Sequence, residues 1–225
     1  MWVEVAGAIA LGWALARGGA PAELAPARDE AVELDELLVE LGASRDLRRF
    51  ARAKAYIESR GNPRAVNLED GGPSVRAFER LREQGRLDCG RPAEDYAFSG
   101  GWFGLLPPTA IVNAYRGTPL ECLDPRAVFE PRESLALFLA YLGALQRRSA
   151  YQAAPTWEAL WLGNRSPKLM NLTQRDTEQA RKSLANFRKA LDALGIDQKL
   201  MTRKPPTLSR SGLTWRERLG IGGFA

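Results

Sequence analysis

The stretch that most constrains the fold is PRESLALFLAYLGALQR, residues 131–147. It opens on Pro, which suits the first turn of a helix, and is then apolar nearly all round. A helix without a polar face must be covered on every side, so the rest of the chain has to supply a shell around it. That remainder also reads at helical period. Residues 29–41 put Leu34, Leu37, Leu38 and Leu41 on one face, begin with acids and stop at Gly42. Ser44 is placed to cap a second helix reaching about Arg60, and a third, about 74–84, follows Pro73 with Val75, Phe78 and Leu81 at helical spacing. Short helices fit 109–115 and 156–162, and a long one over 174–194 carries Ala180, Leu184, Phe187, Leu191 and Leu194. No strand-period segment of any length and no repeat is evident, so the expectation is a mainly α domain.

With 225 residues, the chain is long enough for one sizeable core with appendages. The expected division is an apolar N-terminal segment over 1–28, a helical domain over 29–197 with an insert at 67–99, and a basic tail over 198–225. Residues 5–16 have about the length of a signal-peptide apolar region, and Ala20-Pro21-Ala22 passes for a cleavage site. The run carries Glu4 and no preceding cation, and it is shorter than the roughly 20 residues of a membrane span. The other reading is a helix of small residues packing on the body or on a partner. The tail, with Pro205-Pro206 and several Gly, reads as a loosely structured extension or a binding arm.

The chain has no His, which removes His-based triads, His general bases and most zinc or non-haem iron sites. Acid–base chemistry is left to carboxylates, Tyr, Lys or Cys, and no cofactor or metal is expected. Cys89 and Cys122 form no CxxC; they are either one disulfide of an exported protein or two free thiols. Residues 1–45 are acidic, so of the net +5 charge the remainder holds +10. A basic body suits an anionic partner: nucleic acid, anionic lipid or cell-wall polymer. The sequence shows no helix-turn-helix, zinc motif or ordered base-stacking aromatics, which argues against nucleic acid.

One carboxylate stands out. In the helix before Gly61-Asn62-Pro63, Glu58 lies about 20° from Leu47 and about 20° from Ala51 at 100° per residue. It therefore belongs with the apolar face. A carboxyl there either pairs with a cation, Lys54 at i−4 being the candidate, or is kept partly protonated by desolvation. The second state is the one a general acid needs.

The segment Glu58-Ser59-Arg60-Gly61-Asn62-Pro63-Arg64-Ala65 resembles the signature of the soluble lytic transglycosylase group of the lysozyme superfamily. GWFGLLPPTA, from Gly101 to Ala110, is similar to the group's second block, and Asp124-Pro125-Arg126-Ala127-Val128 with the apolar helix and Tyr141-Leu142 to its third. The blocks are in order over roughly 44–165. The resemblance implies a lysozyme-like helical fold that cleaves the MurNAc–GlcNAc β-1,4 bond of peptidoglycan. Glu58 takes the place of the single Glu that is first general acid and then base towards the muramic acid C6 hydroxyl. Ser59 takes the place of the supporting Ser. Gly101, Phe103 and Trp161 fall within family blocks and are expected to line the sugar site, with Trp102 and Trp157 undecided.

Departures accompany the likeness. Gly104 stands where the group has Gln, and Trp161 and Leu162 stand where it has Tyr and Asn. The insert carries Glu69, Asp70, Asp88, Glu94 and Asp95, which read as solvated loop acids or, alternatively, as a source of a second, water-positioning carboxylate. Arg60 and Arg64 read as surface cations or as partners for substrate carboxylates. These departures and the atypical termini support a second expectation. It is a lysozyme-fold structural or wall-binding part of a large assembly, such as a phage virion, tail or ejection device, with weak or no turnover. The place expected is the periplasm or cell envelope, or a virion.

Overall fold

The computed structural model describes residues 28–222 apart from 69–71, 88 and 175. The expectations for the N-terminal segment and for Glu69, Asp70 and Asp88 lie outside the described residues. Among these there are nine α-helices: α1 (Arg28–Glu40), α2 (Arg45–Ser59), α3 (Pro73–Glu83), α4 (Pro107–Tyr115), α5 (Pro131–Gln146), α6 (Ser149–Gln152), α7 (Trp157–Arg165), α8 (Glu178–Ala193) and α9 (Gly212–Arg218). The fold is mainly α.

The apolar helix is central. In α5, residues Leu135 to Ala140 and Leu142 have no exposed surface, and α4, α7 and α9 pack around it. Phe50 of α2 is the hub of the aromatic core: its ring lies 4.6 Å from Trp157 and 5.7 Å from Phe187. The helix starts follow local chemistry. Ser44 Oγ accepts from the Leu47 amide at 3.2 Å, Thr156 and Thr177 cap α7 and α8 in the same way, and α3, α4 and α5 open on Pro.

Two features depart from the sequence reading. A short antiparallel hairpin joins β1 (Val66–Leu68) and β2 (Phe98–Gly100), with Asn67 opposite Ser99. Three-residue strands are too short to display an alternating pattern, which is why the sequence carries no strand signal. The insert forms the long connection of this hairpin. Its Phe78, Leu81, Leu87 and Tyr96 form a small second core with Val112 of α4, and it is fastened to the segment after α4 by a Cys89–Cys122 disulfide.

The tail is also ordered. After a 3-10 turn at Gln198–Thr202 it runs extended, where the Trp157 amide donates to Arg203 O. Gln146 brackets it, donating from Nε2 to Pro206 O and accepting at Oε1 from the Leu208 amide, both at 2.8 Å. It ends in α9, whose Arg216 pairs with the buried Glu133 while Tyr115 donates its hydroxyl to the same carboxylate. Cations that read as a free arm are therefore partly spent on internal contacts. Among the described residues, no helix is long and apolar enough to cross a membrane.

Candidate active site

The end of α2 and the turn before α4 are bonded to each other. Trp102 Nε1 donates to Gly61 O at 2.8 Å, and Ser59 Oγ lies 2.9 Å from Ala55 O and 3.0 Å from Trp102 O while accepting from the Gly61 amide. Ser59 is buried and serves as a staple between the two segments rather than as a group facing solvent. Trp102, fully buried, is the other half of that staple.

Beside this joint the surface is hollowed twice. One cavity of about 100 Å³ is lined by Glu58, Asn67 and Ser99, with Ala65, Gly100 and Gly101 among its walls. A second, of about 60 Å³, is lined by Phe103, Leu106, Thr109, Tyr141 and Asn164. Gly104 borders both, so Glu58 stands at the junction of one groove running from the hairpin to α5 and α7. Each hollow is below the few hundred Å³ of an enclosed small-molecule site.

Glycine is required along this floor. Gly101 has φ +73° and a Cβ there would meet Val128 O at 2.1 Å; Gly104 has φ +58° and a Cβ would lie 2.8 Å from Glu58 Oε2. A side chain at 104 and the present position of Glu58 exclude one another.

Glu58 is paired. Lys54 Nζ donates to its Oε1 at 2.5 Å; the Lys54 side chain is only 6% exposed and that of Glu58 31%. The cation-paired alternative is the one observed. The ammonium also sits 5.2 Å from the centre of the Trp161 ring. Trp161 itself is not at the cavity wall. It is buried, stacked 4.3 Å from Phe187, with its indole N–H donated to Ser183 of α8. Its link to the groove runs through Lys54.

Phe103 does line the smaller hollow, though it is almost fully buried and stacked 3.8 Å from Phe138. Trp157 belongs to the core. Glu94 and Asp95 are exposed on the 3-10 turn Ala93–Tyr96, and neither lines a cavity. Among the described residues, Glu58 is the sole carboxylate lining the two hollows. Arg60 adopts φ +57° at the end of α2 and lies over the Tyr56 ring, 4.7 Å from its centre.

Sequence reading did not single out Asn67, Ser99, Thr109, Tyr141 and Asn164 as site residues. Tyr141 had a signal: it is the one phenol in an otherwise apolar helix, and burial pushes its hydroxyl above the ordinary range. Asn164 lies two positions beyond Leu162, so the polar groups opposite Thr109 come from neighbouring positions instead of those expected. Asn67 and Ser99 are brought together only by the hairpin register. Among the described residues no cluster of His, Cys, Asp and Glu is arranged to hold a metal ion. No family model matches the chain, and no curated protein or solved structure does so either.

Proposed function

We propose that the protein cleaves the β-1,4 glycosidic bond of peptidoglycan glycan strands, with Glu58 as the general acid and base. The observation that carries this reading is the position of Glu58: one carboxylate at the waist of an open groove, between a polar hairpin and a wall holding Tyr141, Thr109 and Asn164. Acid–base cleavage by a single carboxyl requires that group within reach of the scissile oxygen and neighbours that orient the sugars. A nucleophilic double displacement would need a second carboxylate about 5 Å away, and among the described residues none lines the groove. Glu58 would protonate the leaving oxygen and then accept a proton from the muramic acid C6 hydroxyl or from water. The Cys89–Cys122 disulfide suits an oxidising location such as the cell envelope or a virion surface.

The test is digestion of purified cell wall by the wild type and by Glu58→Gln, with mass spectrometry of the released fragments. Loss of products in the variant supports the reading. Equal digestion by both removes Glu58 from the chemistry, and no digestion by a well-folded wild type removes the activity. A second reading, a wall-binding component of a larger assembly with little turnover, is favoured by the Lys54–Glu58 ion pair, which occupies the carboxylate with an internal cation. Cosedimentation with cell wall without release of fragments would select it.

A further inference from the structure

We infer that Lys54 is the proton store for Glu58: a positioning residue that hands its proton to the carboxylate when a glycan covers the groove. This rests on the proposed glycosidase reading. The ammonium is already out of water, with only 6% of its side chain exposed, and has one carboxylate partner at 2.5 Å and one aromatic face at 5.2 Å. Hydration of the ion pair enters through Glu58, whose side chain is 31% exposed. A sugar lying over Glu58 removes that water. Two charges deprived of solvent are less stable relative to their neutral forms, and the short contact supplies a direct route for the transfer.

The step is balanced. The Lys54 Nζ–H bond breaks and a Glu58 Oε1–H bond forms, leaving amine and carboxylic acid. Glu58 then gives this proton to the glycosidic oxygen. The attacking hydroxyl returns a proton to Glu58, which passes it back to Lys54 and restores the ion pair. Among the described residues, Lys54 and Glu58 form no ion pair with a third group. Trp161 of α7 faces the ammonium with Ser183 of α8 behind it, and Asn67 and Ser99 line the hollow that holds Glu58. On α8, Arg181 is exposed and Lys182 pairs with Glu178 at the surface.

The device gives the cation beside a general acid a role: it is a proton donor already in contact with the carboxylate. The test compares pH–rate profiles of wall digestion for the wild type, Lys54→Met and Lys54→Arg, with thermal denaturation as the control for folding. Arg keeps the charge but does not release its proton. Both variants are expected to lose about a hundredfold or more of the neutral-pH rate and to keep activity only at acid pH, where solvent protonates Glu58. A Lys54→Arg profile matching the wild type overturns the relay while leaving the proposed function standing.

A readout independent of turnover is the Nζ resonance of isotope-labelled Lys54, followed on adding a β-1,4-linked N-acetylglucosamine oligosaccharide. Conversion from ammonium to amine on binding supports the relay. An ammonium that persists with the sugar bound overturns it. Absence of both sugar binding and wall digestion overturns the relay and the proposed function together.

Discussion

Glu58 and Gly104 compete for one space: a Cβ on residue 104 would sit 2.8 Å from Glu58 Oε2, on a backbone with φ +58°. The carboxylate's position at the groove's waist therefore depends on the absence of a side chain across from it. A likeness to a family with Gln at that position made Gly104 look like a loss. In this chain it is the condition for the observed placement of the acid.

Gly104→Ala is accordingly expected to displace Glu58 and to strain the turn, at about 1–2 kcal/mol of stability. Gly104→Gln, the residue the likeness would supply, is expected to lower wall digestion further instead of improving it. Thermal denaturation and the digestion assay check the two effects separately. Improved activity in Gly104→Gln would mean that Glu58 moves freely out of the way.

Ser59→Ala removes the hydroxyl that bridges Ala55, Gly61 and Trp102. Buried backbone groups would lose a partner, so the expected cost is about 1–3 kcal/mol in chemical denaturation. Activity should fall with the stability of the joint and not through lost sugar binding, leaving KM little changed.

Breaking the Cys89–Cys122 link opens a loop spanning 33 positions. The chain-entropy argument puts the loss at about 3–4 kcal/mol for a loop of this size. Cys89→Ser with Cys122→Ser, or reduction under native conditions, should lower Tm. The hydrogen-exchange protection of α3 should fall first, because its small cluster with Val112 of α4 is separate from the main core.

Alkaline pH should unfold the protein through its phenols. Tyr96, Tyr115, Tyr141 and Tyr151 are all held above their ordinary value of 10.0, chiefly by desolvation, and Tyr115 also by the Glu133 carboxylate beside it. A group raised in the folded state contributes stability that is fully present below the unfolded value and lost as pH rises beyond it. Stability should thus decline above about pH 10. These four of the five tyrosines should ionise in one step with unfolding when followed by ultraviolet absorbance. Four independent titrations without loss of structure would contradict it. Glu133, raised by desolvation above its ordinary 4.5, follows the same sign, so acid does not destabilise the fold through this residue.

Arg216→Met leaves the buried Glu133 carboxylate with the Tyr115 hydroxyl but without its guanidinium, and loosens α9 from α5. Removing one side of a buried pair costs about 3–5 kcal/mol. Denaturant titration should show this, and limited proteolysis should cut first in the extended run before α9.

Much of the helical frame was legible from local chemistry. The caps at Ser44 and the prolines before α3 and α5 act within one turn, and the leucines of α1 and the apolar α5 declare their burial by spacing alone. Glu58 on the apolar face of α2 was legible for the same reason. The hairpin was not, since residues 66–68 and 98–100 become strands only by pairing with each other across the insert. Nor was the order of the tail, where Gln146 and Glu133 supply contacts from a distant helix.

By itself, then, the sequence determined where most of the longer helices run, which faces they bury and which carboxylate falls out of pattern, because those depend on residues a few positions apart. Only the tertiary structure decided what surrounds that carboxylate. Asn67, Ser99, Tyr141 and Asn164 come from four separate elements, Trp161 turns inward to cover Lys54, and Gly104 leaves the gap that Glu58 fills. Contacts between residues far apart in the chain are fixed by how the helices pack, and periodicity within one helix carries no record of them.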